Sequence, residues 1–150
     1  MRNPETVLPL GRATGTIVQM RIVADTNILL AVALDEPEKS RLVRATQGAE
    51  LISPNVLHFE IGNALSALVK KKSIHAAQAM EAWDVIGKIR ISLLEVEIRA
   101  ALALAVQENI YAYDGYFLQC SIQSGCALLT LDQRMRRVAK NLNIRLVEAI

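Results

Sequence analysis

Short apolar runs alternate with helical stretches along nearly the whole chain. No other feature restricts the fold as much. The runs are Ile22-Val23-Ala24, Glu50-Leu51-Ile52, Arg90-Ile91-Ser92-Leu93-Leu94, Cys126-Ala127-Leu128-Leu129-Thr130 and Ile144-Arg145-Leu146-Val147. Strands separated by helices pair in parallel through crossovers, with helices covering both faces of the sheet. Predicted helices cover 26–34, a stretch opening at Pro37 and ending near Gly48, then 54–70, 73–88, 95–108, 113–124 and 132–141. Ser53-Pro54 reads as an N-cap with proline at the first helical position. Lys70-Lys71-Lys72 crowds the end of the same helix, as its dipole favours. The expectation is a single α/β domain.

Composition supports this and removes several alternatives. A chain of 150 residues is long enough for one domain with a sizeable core. Hydrophobic residues make up 52% but aromatic ones only 4%, so Ala, Leu, Ile and Val must build that core. The net charge of +2, from 17 basic and 15 acidic residues, is not that of a polybasic protein and does not by itself imply a nucleic-acid partner. No apolar run reaches the ~18 residues of a membrane span. Residues 1–19 lack a basic segment followed by a continuous apolar core, so no secretory signal is expected. With Pro4, Pro9, Gly11 and Gly15 they show no helical period and read as an extension outside a domain of residues 20–150, with Met20 as a candidate translation start. Cys120 and Cys126 have neither metal-ligand spacing nor partner histidines. They read as reduced packing thiols of a cytoplasmic protein.

Four acids stand out by position. Asp25 follows the first apolar run and Asp132 the fourth, so both fall where open α/β sheets bind ligands, at the carboxyl ends of strands. Asp114 falls at a helix start. Glu60 lies inside the 54–70 helix, where a turn of about 100° per residue points it between Val56 and Ala67 on one side and Leu57 and Ala64 on the other. A carboxylate beside the core face is costly unless paired or metal-bound, and the nearest basic residue on that helix is Lys70. If the four converge, the charge calls for a multivalent cation, and oxygen-only ligands point to Mg²⁺ or Mn²⁺ and not to zinc. Such a site activates water and stabilises charge on a phosphodiester oxygen. An ordinary structural account exists as well: two helix caps, one partly exposed Glu and one solvated Asp.

The segments Val23-Ala24-Asp25-Thr26-Asn27, Ser53-Pro54 with Phe59-Glu60-Ile61-Gly62-Asn63-Ala64-Leu65, Tyr113-Asp114-Gly115-Tyr116 and Leu129-Thr130-Leu131-Asp132 resemble the four acidic motifs of PIN-domain ribonucleases. They are most similar to the VapC-type toxins of prokaryotic toxin–antitoxin pairs. The resemblance covers about residues 20–148. It implies a five-stranded parallel sheet in the order 3-2-1-4-5, and catalytic and metal-binding roles for Asp25, Glu60, Asp114 and Asp132. Asn27 and Thr130 would support them from behind. Gly115 departs from the pattern, where Ala is more usual, and could loosen that helix start without removing a ligand. The implied activity is endoribonucleolytic cleavage of RNA by a metal-activated water. The implied partners are RNA, a small antitoxin that blocks the site, and a second copy of the chain in a homodimer, with no membrane.

Arg134, Arg136, Arg137 and Lys140 follow Asp132 closely and could hold RNA phosphates; they could equally form a solvated helix face. His58 and His75 are isolated, and Trp83 reads as core or interface. Other functions on the same sequence are a solitary nuclease without antitoxin and a non-catalytic PIN-like binding module. A module of that kind would be expected to lack one or more of the acids, and none is missing. An aspartyl-phosphate phosphatase would need a second Asp where Asn27 stands.

Overall fold

A computed structural model describes residues 19–148; the predicted extension of residues 1–19 lies almost wholly outside them. Four strands form one parallel sheet: β1 (Arg21–Ala24), β2 (Glu50–Pro54), β3 (Ile91–Leu94) and β4 (Ala127–Leu129), in the order β3-β2-β1-β4. Seven helices surround it: α1 (Thr26–Ala33), α2 (Lys39–Thr46), α3 (Leu57–Lys70), α4 (Ala76–Gly87), α5 (Ile98–Glu108), α6 (Ala112–Ser124) and α7 (Gln133–Asn141).

Successive strand residues point to opposite faces, and the two cores follow from that. Val23 and Leu128 join Ile52, Leu57, Ile61, Phe117 and Met135 in the larger core. Their neighbours Ile22 and Leu129 face the other way, toward Ile28, Ala31 and Leu42. Both faces of β1 are therefore buried, which is why its sequence is continuously apolar instead of alternating.

Two expectations are corrected. The fifth strand does not form: Ile144–Val147 contributes one parallel bridge, Leu146 to Leu128, beyond β4. The bridge carries two bonds, Leu128 N–H to the Arg145 carbonyl and Val147 N–H to the Leu128 carbonyl, both 2.9 Å. β4 is only three residues long and offers little ladder to pair with, and Glu148 is turned aside to the Arg136 guanidinium. The sheet is thus four-stranded in the order 3-2-1-4, with the expected fifth position reduced to a single contact.

The second correction is at Ser53-Pro54, which ends β2 instead of starting a helix. Ser53 is fully buried, and its hydroxyl donates to the Ala24 carbonyl at 2.6 Å. Pro54 pairs in register with Leu94 on β3. The helix begins three residues later, at Leu57. A buried hydroxyl tied to the neighbouring strand outweighed the local capping preference.

Candidate functional site

Asp25 leaves the end of β1 and caps α1. Its Oδ1 accepts the N–H of Thr26, the first residue of the helix, at 2.7 Å. Its Oδ2 accepts the Thr130 hydroxyl at 2.6 Å and the Asn27 amide at 3.0 Å. Asn27 reaches onward, its Oδ1 accepting the Leu131 N–H at 3.2 Å, and Thr130 Oγ1 accepts the Asp132 N–H at 3.0 Å. These bonds lace the ends of β1 and β4 together. The adjacency of the strands, with Ala24 opposite Leu129, brings the two segments side by side.

Asp132 caps α7, its Oδ1 accepting the N–H groups of Arg134 at 2.8 Å and Met135 at 3.1 Å. Glu60 lies in the first turn of α3 and is half-buried, as its helical position implied. Its Oε2 accepts the Thr26 hydroxyl at 2.9 Å. Thr26 was not singled out from the sequence; the available signal was a hydroxyl directly after the first acid, at the first position of a helix. Asp114 lies in the first turn of α6, and its carboxylate accepts no hydrogen bond from the described residues.

The electrostatics tie the acids into one neighbourhood. Burial pushes the Asp25 carboxyl up to about 7; the Thr130 hydroxyl pulls it down, the charge of Glu60 raises it, the Thr26 N–H lowers it and Asp114 raises it. Glu60 is raised by burial, eased by Thr26 and raised again by Asp114. Asp114 is raised by burial and by Asp132 and eased by Arg134. Asp114 is thus the acid through which Asp132 is linked to the other two.

The donor set is all oxygen and negative, which suits a hard divalent cation. Among the described residues no three Asp, Glu, His or Cys side chains close on one point as they stand. Neighbouring carboxylates that raise one another's proton affinity are relieved either by taking up a proton or by a cation between them. The residues fit such an ion in chemistry and neighbourhood, with side-chain adjustment needed to close around it.

The basic cluster is divided. Arg136 makes a two-pronged pair with Glu148, at 2.8 and 3.0 Å. Arg134 bonds the Asn109 carbonyl and lies near enough to Asp114 to ease its charge. At about 100° per residue, Arg134 and Arg136 point about 160° apart on α7. Arg137 and Lys140 are exposed between them. Lys70, Lys71 and Lys72 are exposed at the end of α3. Trp83, partly exposed, meets His58 edge to face at 5.7 Å, at an apolar groove of about 620 Å³ between α3 and α4. His75 precedes α4, where its backbone N–H donates to the Gln78 side chain at 2.8 Å. Burial pushes the Cys120 thiol up to about 11, in keeping with a packing role. Among the described residues no helix is long and apolar enough to cross a membrane.

Known proteins agree with this architecture. The chain is 23% identical over 121 residues, covering 77% of this chain and 92% of the other, to Ribonuclease VapC3 of Pyrobaculum aerophilum. The structure PAE2754 from the same organism superposes with a TM-score of 0.61 at 20% identity, covering 79% of each chain. A chain of VapBC2 from Rickettsia felis, solved bound to a DNA fragment from its promoter, superposes with a TM-score of 0.60 at 15% identity, covering 85% of this chain and 97% of that one. At these identities the solved structures establish the fold. The PIN domain model itself matches residues 22–141, from the first residues of β1 to the end of α7, and the chain therefore belongs to the PIN-domain family.

Proposed function

We propose that this protein is a Mg²⁺- or Mn²⁺-dependent endoribonuclease and the toxin of a type II toxin–antitoxin pair. One observation carries the reading: in a PIN-domain chain, two helix-capping acids at the ends of β1 and β4 and an acid each from α3 and α6 are linked by hydrogen bonds and charge, Glu60 and Asp114 acting on Asp25, Asp114 on Glu60 and Asp132 on Asp114. Asp25, Glu60, Asp114 and Asp132 would hold the ion, which when bound supplies Lewis acidity and a water acidic enough to react near neutral pH.

The chain's own groups do the rest. Thr26, Asn27 and Thr130 hold Asp25 in one orientation through donors on both of its oxygens. Asn27 and Thr130 thus act through Asp25 and do not touch substrate. The attacking water must lose a proton as its oxygen bonds to phosphorus, while the bond from phosphorus to the leaving ribose oxygen breaks and that oxygen departs as a hydroxyl with a proton from solvent. Glu60 Oε1 and the Asp114 carboxylate accept no hydrogen bond from the described residues and are free to receive the water's proton. Arg134, beside Asp114, offsets charge on a phosphate brought to the acids.

Under this reading the protein acts in the cytoplasm on RNA, as a homodimer, and is blocked by a small cognate antitoxin. The likeness to a chain of the VapBC2 complex supports the antitoxin. The exposed stripe Ile98, Leu102 and Val106 on α5 supports a face covered by another protein chain. The test is cleavage. Protein freed of any partner should cut RNA with Mg²⁺ or Mn²⁺ and be silent in EDTA. Cleavage that survives thorough chelation would remove the metal from the mechanism.

A further inference from the structure

We infer that the corner between α5 and α6 is a subsite for an unpaired nucleotide of single-stranded RNA. Tyr111 stacks its base, and Arg134 takes an adjoining phosphate. The inference rests on the nuclease reading and specifies how its substrate is held. Four residues, Asn109, Ile110, Tyr111 and Arg134, line a small pocket of about 270 Å³ at this corner.

Their positions are built, not incidental. Asn109 ends α5 in the left-handed conformation, φ 54° and ψ 49°, which Asn tolerates better than most residues. Ile110 N–H returns to the Ala105 carbonyl at 2.9 Å and fixes the turn. The Asn109 carbonyl receives one N–H of the Arg134 guanidinium. That leaves Arg134 four further N–H donors, oriented by the first and open to a phosphate. The Arg134 backbone N–H is in turn held by Asp132. The guanidinium is therefore anchored to the turn, and the backbone that carries it to an acid of the site.

Tyr111 precedes α6 with extended backbone, and 82% of its surface is exposed. Tyr113, half-exposed, stands edge-on to Tyr116 at 5.7 Å. A single exposed ring needs no explanation. An exposed ring one helical turn from Asp114, sharing a pocket with a fixed guanidinium, has the two parts that single-stranded nucleic acid requires: a face for a base and a charge for the backbone. In a duplex the base faces are already stacked on one another, so the ring would have nothing to receive. Stacking is also tolerant of base identity, so this subsite sets strandedness and register and not sequence.

The test uses the full chain, freed of partner, in EDTA so that nothing is cut. A short fluorescein-labelled single-stranded RNA and its duplex are titrated, with cleavage of the single strand in Mg²⁺ measured in parallel. Tyr111→Ala should weaken single-strand binding about tenfold, as loss of one stacked base does, and leave duplex binding unchanged. Tyr111→Trp should restore it. Arg134→Gln should weaken binding and lower the salt slope by about one. If Tyr111→Ala binds the single strand as wild type does while wild type cuts RNA, the subsite is refuted and the nuclease reading stands. If wild type neither binds nor cuts RNA, both fail. If Tyr111→Ala shifts the oligomeric state and not RNA affinity, the corner is a protein interface and the inference is overturned.

Discussion

The site has two unlike sides. At the β1–β4 side, Asp25 and Asp132 cap helices, and their positions are dictated by backbone N–H groups and by the Thr130 hydroxyl. At the α3–α6 side, Glu60 has one bond from a hydroxyl and Asp114 accepts none from the described residues. The first side is held rigidly by hydrogen bonds that form whether or not a ligand is present. The second is positioned by helix packing and a single hydroxyl bond, and its carboxylates keep free oxygens. Under the proposed reading, a site that closes on an ion needs both a fixed wall and a side that can adjust. The contrast implies that damage on the first side acts through hydrogen bonds and on the second through packing.

Removing the Thr130 hydroxyl should have the largest effect. Thr130→Val keeps the shape but takes a donor from Asp25 and an acceptor from the Asp132 N–H. Leaving those buried groups short should cost about 3 kcal/mol, and Thr130→Ser should recover most of it. Since the hydroxyl lowers the Asp25 proton affinity, the pH dependence of Thr130→Val should also move upward. Denaturant titrations across pH read both.

Next comes the carboxylate itself. Asp25 titrates near 7 in the folded protein against 3.8 ordinarily. Between those values the folded state binds more protons than the unfolded one, so metal-free stability falls as pH rises through this window and levels off above about 7. Asp25→Asn should flatten the slope. At pH 8 it should relieve up to ~4 kcal/mol of strain, less ~1–2 kcal/mol for donors that the new amide cannot accept, a net stabilisation of about 2 kcal/mol. Asp132→Asn should change metal-free stability little, because Asn caps about as well as Asp. Equal behaviour of the two variants would erase the distinction between a buried acid and a capping one.

On the packing side, Gly115→Ala is the sharper probe. A Cβ there would lie 2.8 Å from the Ala101 carbonyl oxygen and 3.2 Å from the Ala105 Cβ. Backbone at that distance cannot yield cheaply, so α6 must shift. The gain in helix propensity offsets part of the cost, leaving a loss of about 1 kcal/mol together with a displaced Asp114. Cleavage should fall while the Asp25 pH slope stays as it was. Smallest of all, Arg137→Gln with Lys140→Gln should move stability by less than ~0.5 kcal/mol, as exposed charges do. If the two contact RNA phosphates, the salt dependence of binding should flatten.

Much of this was visible in the chain itself. Four apolar runs became strands because both faces of the sheet are covered, and Asp25 and Asp132 could be located because acids ending such runs fall at carboxyl ends of strands. Glu60 was legible as an acid beside a core face. What was hidden depended on the third dimension. Ser53-Pro54 carries a helix-start signal, overridden by a hydrogen bond to Ala24, 29 positions away. Ile144–Val147 has a strand's composition but too short a neighbour to pair with. Gly115 read as a weak helix start, whereas it gives α5 and α6 their close approach. The basic residues after Asp132 are neighbours in sequence, yet α7 sends them to different surfaces.

The laced junction behind Asp25 has a kinetic side as well. Leu131 and Asp132 lie between β4 and α7, outside regular structure, where amides normally exchange freely with solvent. Here the Leu131 N–H is held by Asn27 and the Asp132 N–H by Thr130. The Leu131 proton cannot leave until the ends of β1 and β4 separate, whereas the Asp132 proton needs only a local opening beside Thr130. Deuterium uptake at the Leu131 amide therefore times the opening of the site's floor, with the Asp132 amide as the local reference and no RNA, ion or substitution needed to read it.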